Sequence, residues 1–569
     1  MADASNAAVV TFHPQSRDAG LAILAEGGNA FDAFIAATMA DYVVAPGGTS
    51  LAGPLGVLVF VANGRKVEYL DAEFNESKRK GGRWKPGDPV GKAMLVPGAP
   101  AGLEALSRRY GRLGFSRCLA PAIRLARGGF ALDDLYCRHI ELCAARLRST
   151  PYGKRTFFRD GLPPEPGDVL RQPHVASLLE ALAERGASHM YRGAWASRFV
   201  RAARAAGGSI ATADLARYRA VWRKPWRASY RGHTLYACSG RTFGGVWTML
   251  CLKALEHTDL RALGHWSRSA DALEVLVRLV RAAWEEVWLL DHRLLDDADF
   301  VAARLTSRYG ARLWRRVEKR IATPGMLTTG SHSYHVIVRD RDGNLASGTN
   351  THESLAWGAG IFVDGIALPA SGYLPWGTRP GERRISPFAI LFALRNGVPR
   401  FAVGSFSSSI LEAALQLLLN LIDYRCSAHQ AVMLPRVGTY PHNPADFLSP
   451  TASHAPVEDV AHYASNWLDP GISGKIVAAV ERRGLALVPE SARRLRKKKR
   501  GSKRVRSPPL EHGYVDTGLG AVLAISANGR AQGAATPWPG RAPTRQRRRR
   551  GSQQSTTRRG KARGVKAGA

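Results

Sequence analysis

Residues 330–353 read GSHSYHVIVRDRDGNLASGTNTHE, and this stretch predicts a single β-hairpin. Residues 335–339 form the first strand, since apolar and β-branched side chains dominate it. Residues 342–344, Asp-Gly-Asn, form the turn, because Asp-Gly supplies the positive φ that a tight hairpin turn requires. Residues 345–351 form the return strand, which is rich in small and hydroxyl side chains.

Hydroxyl and imidazole side chains cluster immediately before and at the start of the first strand. A nucleophile at the start of a strand is held rigidly and faces the open end of a sheet. This cluster is therefore our candidate for the chemistry of the protein. Its members are Thr328, Thr329, Ser331, His332, Ser333 and His335.

Length and composition predict a large folded protein. The chain has 569 residues, of which 45% are hydrophobic, enough for two lobes or for one large domain with extensions. Its six cysteines have neither paired nor metal-ligand spacing, which indicates reduced, buried thiols. Residues 271–288 carry apolar side chains at helical spacing, which favours a packed amphipathic helix over a cofactor-binding segment. We expect no cofactor.

The formal net charge of +35 is concentrated in two basic runs. Residues 493–506 and 541–566 contain many lysines and arginines and no acidic residue. The like charges within each run repel one another, and the runs lack the apolar residues needed for a core. Both are therefore predicted to be disordered. Weak contact with nucleic acid or an anionic surface is conceivable through counterion release. No aromatic residue is interleaved for base stacking, so a solvated tail is the favoured interpretation.

The beginning of the sequence bears on localisation. Residues 1–6 lack the basic and apolar regions of a secretory signal, which predicts a cytoplasmic protein. No apolar run approaches the roughly 20 residues that a membrane-spanning helix requires.

Two segments resemble the γ-glutamyltranspeptidase family of N-terminal-nucleophile hydrolases. Members of that family typically have Thr-Thr-His, a short strand and then Asp-x-Asp-Gly-Asn. Residues 340–344 here read Asp-Arg-Asp-Gly-Asn, and counting back without a gap aligns Ser333-Tyr334-His335 with Thr-Thr-His. Residues 13–46 are similar to the opening of the family, and they predict a helix pair whose second member is capped by Asn29 with Asp32 near its third position.

The resemblance implies a self-cleaving enzyme with Ser333 as nucleophile, cut between His332 and Ser333. The amine freed by such a cut has a reference pKa of roughly 7.7–8.0 and can take the proton of its own residue's hydroxyl. Thr351 matches the second, supporting threonine of the family. If the strand began earlier, Thr329 or Ser331 would be the nucleophile instead.

The resemblance also identifies the positions that would bind substrate, and several of them differ from the family. Residues 70–74 carry Glu73 and lack the arginine that binds a substrate carboxylate. Glu353 stands where the family has an asparagine that binds the α-amine. Arg383 and Arg384 align with a serine pair that holds the glutamyl carboxylate. Their guanidinium groups could take over that role, or they could line a vacated pocket.

A turn between a strand and a helix predicts a site for an oxyanion. Residues 404–409 read GSFSSS and precede a predicted helix over 410–422. In the family a Gly-Gly pair at this position supplies backbone amides to the oxyanion, and Ser407 and Ser408 replace it here. An ordinary capped helix is an equally good interpretation of this segment.

The resemblance implies an α+β fold, a four-layer αββα sandwich of the N-terminal-nucleophile hydrolase type. Residues 1–332 correspond to the large subunit of the family and residues 333–540 to the small subunit. A basic insertion occupies 493–509, and a disordered basic tail occupies 541–569.

Three functional hypotheses follow. The first is a self-processing amidohydrolase or acyltransferase that acts on γ-glutamyl or related small amide substrates, with its two self-cleaved chains associated. The second is a catalytically silent relative that serves as a binding or scaffold protein. The third is a nucleic-acid-associated protein that binds through its basic runs.

Overall fold

The structure of the chain is a computed structural model. It describes residues 6–79, 84, 88–288, 290–320, 333–353, 357–358, 360–371, 379–406, 409–439, 466–468, 471–485, 487–489, 519–526 and 528–535. The basic run at 493–506 and the basic tail at 541–569, both predicted to be disordered, lie outside these residues.

Helices occupy the N-terminal and middle thirds and recur near the C-terminus. In chain order they are α1 (Pro14–Ala25), α2 (Ala30–Val44), α3 (Ala99–Tyr110), α4 (Phe115–Gly128), α5 (Asp134–Leu142), α6 (Ala144–Leu147), α7 (Pro151–Phe157), α8 (Pro173–Arg185), α9 (Ser188–Tyr191), α10 (Ala194–Ala205), α11 (Thr212–Arg217), α12 (Phe243–Leu255), α13 (Ala270–Trp288), α14 (Ala298–Arg304), α15 (Ser307–Glu318), α16 (Ile410–Ile422), α17 (Ala428–Met433) and α18 (Gly474–Glu481). Short 3-10 helices cover Val90–Ala93 and His292–Asp296.

The strands are distributed along the whole chain. They are β1 (Ala8–Val10), β2 (Leu55–Val61), β3 (Lys66–Ala72), β4 (Phe130–Ala131), β5 (Val169–Leu170), β6 (Val221–Arg223), β7 (Trp226–Tyr230), β8 (His233–Ala237), β9 (Ser333–Arg339), β10 (Leu345–Thr351), β11 (Phe362–Val363), β12 (Ile366–Ala367), β13 (Ile390–Arg395), β14 (Val398–Phe406), β15 (Val437–Thr439), β16 (Asn466–Leu468), β17 (Leu487–Pro489), β18 (Leu519–Ile525) and β19 (Ala531–Ala535).

Two six-stranded antiparallel sheets form the centre of the molecule. The first has the order β1-β9-β10-β2-β3-β6, and the second has the order β19-β18-β14-β13-β8-β7. Both sheets therefore contain strands from before and from after residue 333. The predicted hairpin is confirmed as β9 and β10, which pair from Leu345 with Arg339 to Thr351 with Ser333.

Strands of the two sheets contact each other, and helices contact strands of both sheets. Strands β9 and β10 contact β14, while α2 contacts β9 and β10, and α12 and α16 contact the second sheet. Successive residues of β13 point to opposite faces, as strand geometry requires. Ile390 and Phe392 join the core between the sheets, whereas Leu391 and Ala393 join the core with α12 and α16. The fold is thus a mixed α and β fold.

Helix α2 anchors the hairpin from the outside. The predicted cap is confirmed as a capping box, in which the Asn29 side chain accepts from the amide of Asp32, and Asp32 accepts from the amide of Asn29. All residues of α2 are buried, and its many alanines permit close packing. The Asp340 carboxylate at the hairpin turn accepts a hydrogen bond of 2.9 Å from the Ala30 amide, so it joins the turn to the start of α2.

The middle of the chain is mainly helical and contains α8 to α15. The same region also contains the short strands β5 to β8. Strand β8 pairs with β13, more than 150 residues away in sequence, and β6 pairs with β3. These pairings connect the middle of the chain to strands that are distant in sequence. Within the described parts of the chain, no helix has the length and apolarity needed to cross a membrane.

Candidate active site

The open end of the β9–β10 hairpin brings two hydroxyl side chains together. Ser333 is the first residue of β9, and it lies directly opposite Thr351, the last residue of β10. The Ser333 hydroxyl donates a hydrogen bond of 2.7 Å to Thr351 Oγ1, and both residues are buried. The register of the hairpin therefore pairs the candidate nucleophile with the candidate supporting threonine.

Thr351 Oγ1 also fixes the backbone beyond the strand. It accepts a hydrogen bond of 2.7 Å from the amide of Glu353. Glu353 has φ of 46°, a left-handed conformation that costs a non-glycine residue about 1 kcal/mol. The turn after β10 thus directs the buried Glu353 side chain back toward the hairpin end. The sequence alone shows only that a glutamate replaces the asparagine of the family at this position.

His335 joins β9 to β10 and to the second sheet. Its ring nitrogens hydrogen-bond to Thr349 Oγ1 at 2.8 Å and Ser347 Oγ at 2.9 Å. The ring lies against the backbone of Gly404 in β14, where a Cβ atom would approach its Cε1 and Nε2 atoms to 2.0 Å. Full burial lowers the pKa of His335 from 6.5 to about 3, so the ring is neutral. The neutral ring therefore packs between the first sheet and strand β14 of the second sheet.

The depressed pKa of His335 predicts a loss of stability in acid. The unfolded chain takes up a proton near pH 6.5, whereas the folded chain does so only near pH 3. The stabilisation is therefore complete above pH 6.5 and is lost as the pH falls from there toward 3. Denaturant unfolding of the chain and of a His335→Gln variant across that range measures it. The difference in unfolding free energy between the two should shrink as the pH falls, and a constant difference would contradict the assignment.

The opposite face of the hairpin end is held by a second buried network. The Asn350 side chain donates a hydrogen bond of 3.2 Å to the carboxylate of Asp41 in α2. It accepts a hydrogen bond from the hydroxyl of Thr49. Tyr334, which pairs with Asn350 across the strands, hydrogen-bonds through its hydroxyl to that of Tyr136 in α5. Burial raises the pKa of Asp41 to about 7. Sequence reasoning missed these residues; an aspartate within the alanine-rich α2 was the available signal.

Glu73 and Glu353 form a buried carboxyl pair beside Thr351. Each carboxyl group perturbs the other. Burial, together with the charge of Asp71, raises the pKa of Glu73 to about 7. Burial and then the charge of Glu73 hold the pKa of Glu353 well above its usual range. Both carboxyl groups therefore hold a proton more tightly than an exposed carboxyl group does.

The two arginines predicted to bind substrate lie next to this pair and make internal contacts. Arg383 donates to the carbonyl oxygens of Glu73 at 2.6 Å and Arg219 at 2.7 Å, and to the hydroxyl of Tyr218 at 2.5 Å. Arg384, which is 1% exposed, donates a hydrogen bond of 2.9 Å to the carboxylate of Glu76 and one of 3.1 Å to the carbonyl oxygen of Ser371. The structure thus brings Glu73, Glu353 and both arginines to the Ser333–Thr351 end of the hairpin.

Two predictions fall on positions outside the described residues. Ser407 and Ser408, the candidates for the oxyanion site, lie between β14 and α16 but are not among those residues. The same holds for Thr329 and Ser331, the alternative nucleophiles. The flanking elements are described: α16 begins at Ile410, as the sequence predicts, whereas β14 continues to Phe406, into the segment predicted to be the turn.

Comparison with known proteins places the chain in a family. The family model described as gamma-glutamyltranspeptidase matches residues 16–493, which is most of the chain. The chain belongs to the γ-glutamyltranspeptidase family. The resemblance found in residues 13–46 and 333–344 is thereby confirmed.

Individual relatives agree with this assignment. The chain is 32% identical over 474 residues to the acylase ACY 1 proenzyme of Pseudomonas sp. (strain SE83), covering 77% of this chain and 83% of that protein. It is 28% identical over 464 residues to the glutathione hydrolase proenzyme of Escherichia coli (strain K12), covering 73% and 78%. The fold matches the crystal structure of cephalosporin acylase from Bacillus halodurans with a TM-score of 0.73 at 22% identity, covering 94% of this chain and 96% of that one.

Membership in the γ-glutamyltranspeptidase family decides between the three hypotheses. The chain is a γ-glutamyltranspeptidase-like enzyme, a self-processing amidohydrolase of the hydrolase and transferase class. The comparisons give no support to a catalytically silent scaffold or to a nucleic-acid-associated protein.

Proposed function

We propose that Ser333 is the nucleophile of this γ-glutamyltranspeptidase family member and that self-cleavage between His332 and Ser333 creates it. The observation that carries this assignment is the buried hydrogen bond of 2.7 Å from the Ser333 hydroxyl to Thr351 Oγ1 at the first residue of β9. A hydroxyl held there cannot rotate freely, which favours attack in one direction.

The proposed maturation step uses only atoms of the chain and one water molecule. Ser333 Oγ attacks the carbonyl carbon of His332, and the bond from that carbon to the Ser333 nitrogen breaks as the acyl group moves to oxygen. Water then hydrolyses the ester. The products are a chain ending in the His332 carboxylate and a chain beginning with the Ser333 amine.

The proposed catalytic cycle repeats this chemistry on an amide substrate. The Ser333 amine takes the proton from its own hydroxyl, and the oxygen attacks the substrate carbonyl. The leaving amine departs with a proton, which leaves an acyl ester on Ser333. Water or an acceptor amine then releases the acyl group. Thr351 keeps the hydroxyl oriented throughout, and backbone amides at Ser407 and Ser408, ahead of α16, are the proposed oxyanion donors.

We assign the acyl pocket to the side chains around the carboxyl pair. Glu73 and Glu353 would contact the acyl group, and Arg383 and Arg384 would form its walls. Relatives of the chain are named glutathione hydrolase and acylase, so the substrate class is a γ-glutamyl compound or a related small amide.

The two chains produced by this cut would stay associated. Residues 1–332 and 333–540 are the proposed large- and small-subunit regions, and strands of the two regions pair with each other in both sheets: β9 pairs with β1, β10 pairs with β2, and β13 pairs with β8. With helices outside both sheets, these contacts support a four-layer αββα sandwich of the N-terminal-nucleophile hydrolase type. The basic segments 493–509 and 541–569 would then be an insertion and a tail.

Thr351→Val tests the supporting role of the threonine. The change preserves shape but removes the oxygen that accepts from Ser333 and from the Glu353 amide. We expect self-cleavage, followed on denaturing gels, to slow by roughly 100-fold, and the free energy of unfolding to fall by about 1–3 kcal/mol because the buried Glu353 amide loses its acceptor. Thr351→Ser is the matched control and should cleave at close to the normal rate. Normal cleavage by Thr351→Val would exclude this role.

A direct assay tests the proposed function as a whole. The purified chain should separate into two fragments on a denaturing gel, and the fragments should elute together under native conditions. This material should release amine from small γ-glutamyl or acyl amides. Intact chains without amidase activity would contradict the proposal.

A further inference from the structure

The residue directly before Thr351 is held at both ends of its side-chain amide. Asn350 Nδ2 donates a hydrogen bond of 3.2 Å to Asp41 Oδ2, and Asn350 Oδ1 accepts one from the Thr49 hydroxyl. All three residues are buried. Because both polar groups of the amide have a partner, the orientation of Asn350 at the end of β10 is fixed from the side of α2.

The loop that follows α2 also packs against the backbone of Thr351. A Cβ atom at Gly53 would lie 2.0 Å from the Thr351 carbonyl oxygen. The same loop carries Thr49, whose amide donates a hydrogen bond of 3.2 Å to the carbonyl of Ala45 at the end of α2. Close-packed interiors transmit displacements instead of absorbing them. A shift of α2 or its loop would therefore move Asn350 and Thr351 together.

The contact with Asn350 depends on the charge of Asp41. Burial raises the pKa of Asp41 to about 7, while Ser16, Asn350 and Thr11 act in the opposite direction. Hydrogen bonds that lower an acid's pKa are stronger to its ionised form, so the carboxylate binds Asn350 more tightly than the protonated acid does. Among the described residues, the elements packed around Asp41 present these polar groups and no charged side chain to it. Its own charge raises the pKa of Tyr42, which stays neutral.

We propose that Asp41 is a positioning residue for self-cleavage: its carboxylate holds Asn350 and thereby keeps Thr351 Oγ1 in place to accept from the Ser333 hydroxyl. This inference rests on the proposed function, because it assumes that Ser333 attacks the carbonyl of His332. Asp41 acts through Asn350 and does not touch the reacting atoms. The contact joins the proposed large-subunit region to the proposed small-subunit region at the end of the hairpin.

The pH dependence of self-cleavage tests this role on the full chain. Chain labelled by cell-free translation is transferred to buffers between pH 6 and 8, and cutting before Ser333 is followed on denaturing gels. This step precedes release of the Ser333 amine, so that amine does not titrate in the assay. We expect the rate to rise roughly tenfold over this range, as the ionised fraction of a group with a pKa near 7 does. Asp41→Asn should keep the slow rate throughout, and a rise equal to that of the wild-type chain would overturn the role.

Asp423→Asn is a matched control for the loss of a buried carboxylate. Asp423 accepts hydrogen bonds from the Tyr230 hydroxyl at 3.0 and 3.1 Å and pairs with Arg231. It contacts none of the residues at the hairpin end among its hydrogen-bond and ion-pair partners in the described part of the chain. This variant should keep the wild-type pH dependence. A flat profile in Asp423→Asn as well would assign the effect to buried charge in general and overturn the specific role of Asp41.

Exchanging the two side chains provides a rescue that a general loss of stability would not give. Asn350→Asp places a second carboxyl group against Asp41 and should slow cleavage at pH 8 by roughly tenfold or more. In Asp41→Asn/Asn350→Asp the amide at position 41 donates to the carboxylate at position 350, which still accepts from Thr49. We expect the double variant to cleave faster than Asn350→Asp alone. Losses that simply add would overturn the role.

The outcomes separate this inference from the proposed function. A wild-type chain that is cut before Ser333, with the same pH profile in Asp41→Asn, would reject the positioning role and retain the proposed function. A wild-type chain that is not cut at any pH would reject the proposed function and the positioning role with it. If Asn350→Asp fails to fold, the comparison of the wild-type chain with Asp41→Asn still decides.

Discussion

Ser333→Ala is expected to yield a chain that stays in one piece and has no amidase activity. The variant lacks the oxygen that attacks the His332 carbonyl in maturation and the substrate carbonyl in turnover. Loss of a nucleophile costs on the order of 10³-fold or more in rate. The side chain is buried against Thr351, and removing one oxygen there leaves the sheet pairing intact. Denaturing gels and release of p-nitroaniline measure the two losses.

Matched variants identify the nucleophile among the candidate hydroxyls. Ser333→Thr keeps the hydroxyl and should still cleave. Thr329→Ala and Ser331→Ala remove the alternatives and should cleave normally. Cleavage that persists in Ser333→Ala but stops in Thr329→Ala or Ser331→Ala would move the nucleophile and contradict the assignment of Ser333.

Gly404→Ala is expected to destabilise the fold by about 3 kcal/mol, through overpacking of a buried contact. The new methyl group would lie 2.0 Å from the ring of His335. That ring cannot retreat without breaking its hydrogen bonds to Thr349 and Ser347. Denaturant unfolding of the uncut Ser333→Ala chain measures the effect on a single polypeptide.

Two controls test whether His335 causes that effect. Gly474→Ala adds the same methyl group at the start of α18, where no atom lies within 4 Å, and it should change stability by only a few tenths of a kcal/mol. The double variant His335→Ala/Gly404→Ala should lose less stability than the sum of its single changes, because the clash is gone. Additive losses would exclude the contact as the cause.

Local sequence predicts the hairpin and the helices around it. Asp342-Gly343 supplies the turn, with Gly343 at φ of 88°, and alternation along both strands then fixes the register that pairs Ser333 with Thr351. Asn29 and Asp32 predict the start of α2 because capping depends on neighbouring residues alone. These features follow from contacts between residues that are close in sequence.

Features made by distant contacts could not be predicted in this way. Strand β8 belongs to the second sheet because it forms backbone hydrogen bonds with β13, which is distant in sequence. The aligned positions of Glu73 and Glu353 differ from the family, but only the fold shows that the two carboxyl groups meet each other. Asp41 likewise gains its role from Asn350, which is more than 300 residues away.

N-terminal sequencing of the smaller fragment of the purified wild-type chain tests the central claim most directly. We predict a fragment that begins Ser-Tyr-His-Val-Ile, residues 333–337. A chain that remains whole, or a fragment that begins at Thr329, at Ser331 or elsewhere, would contradict the account.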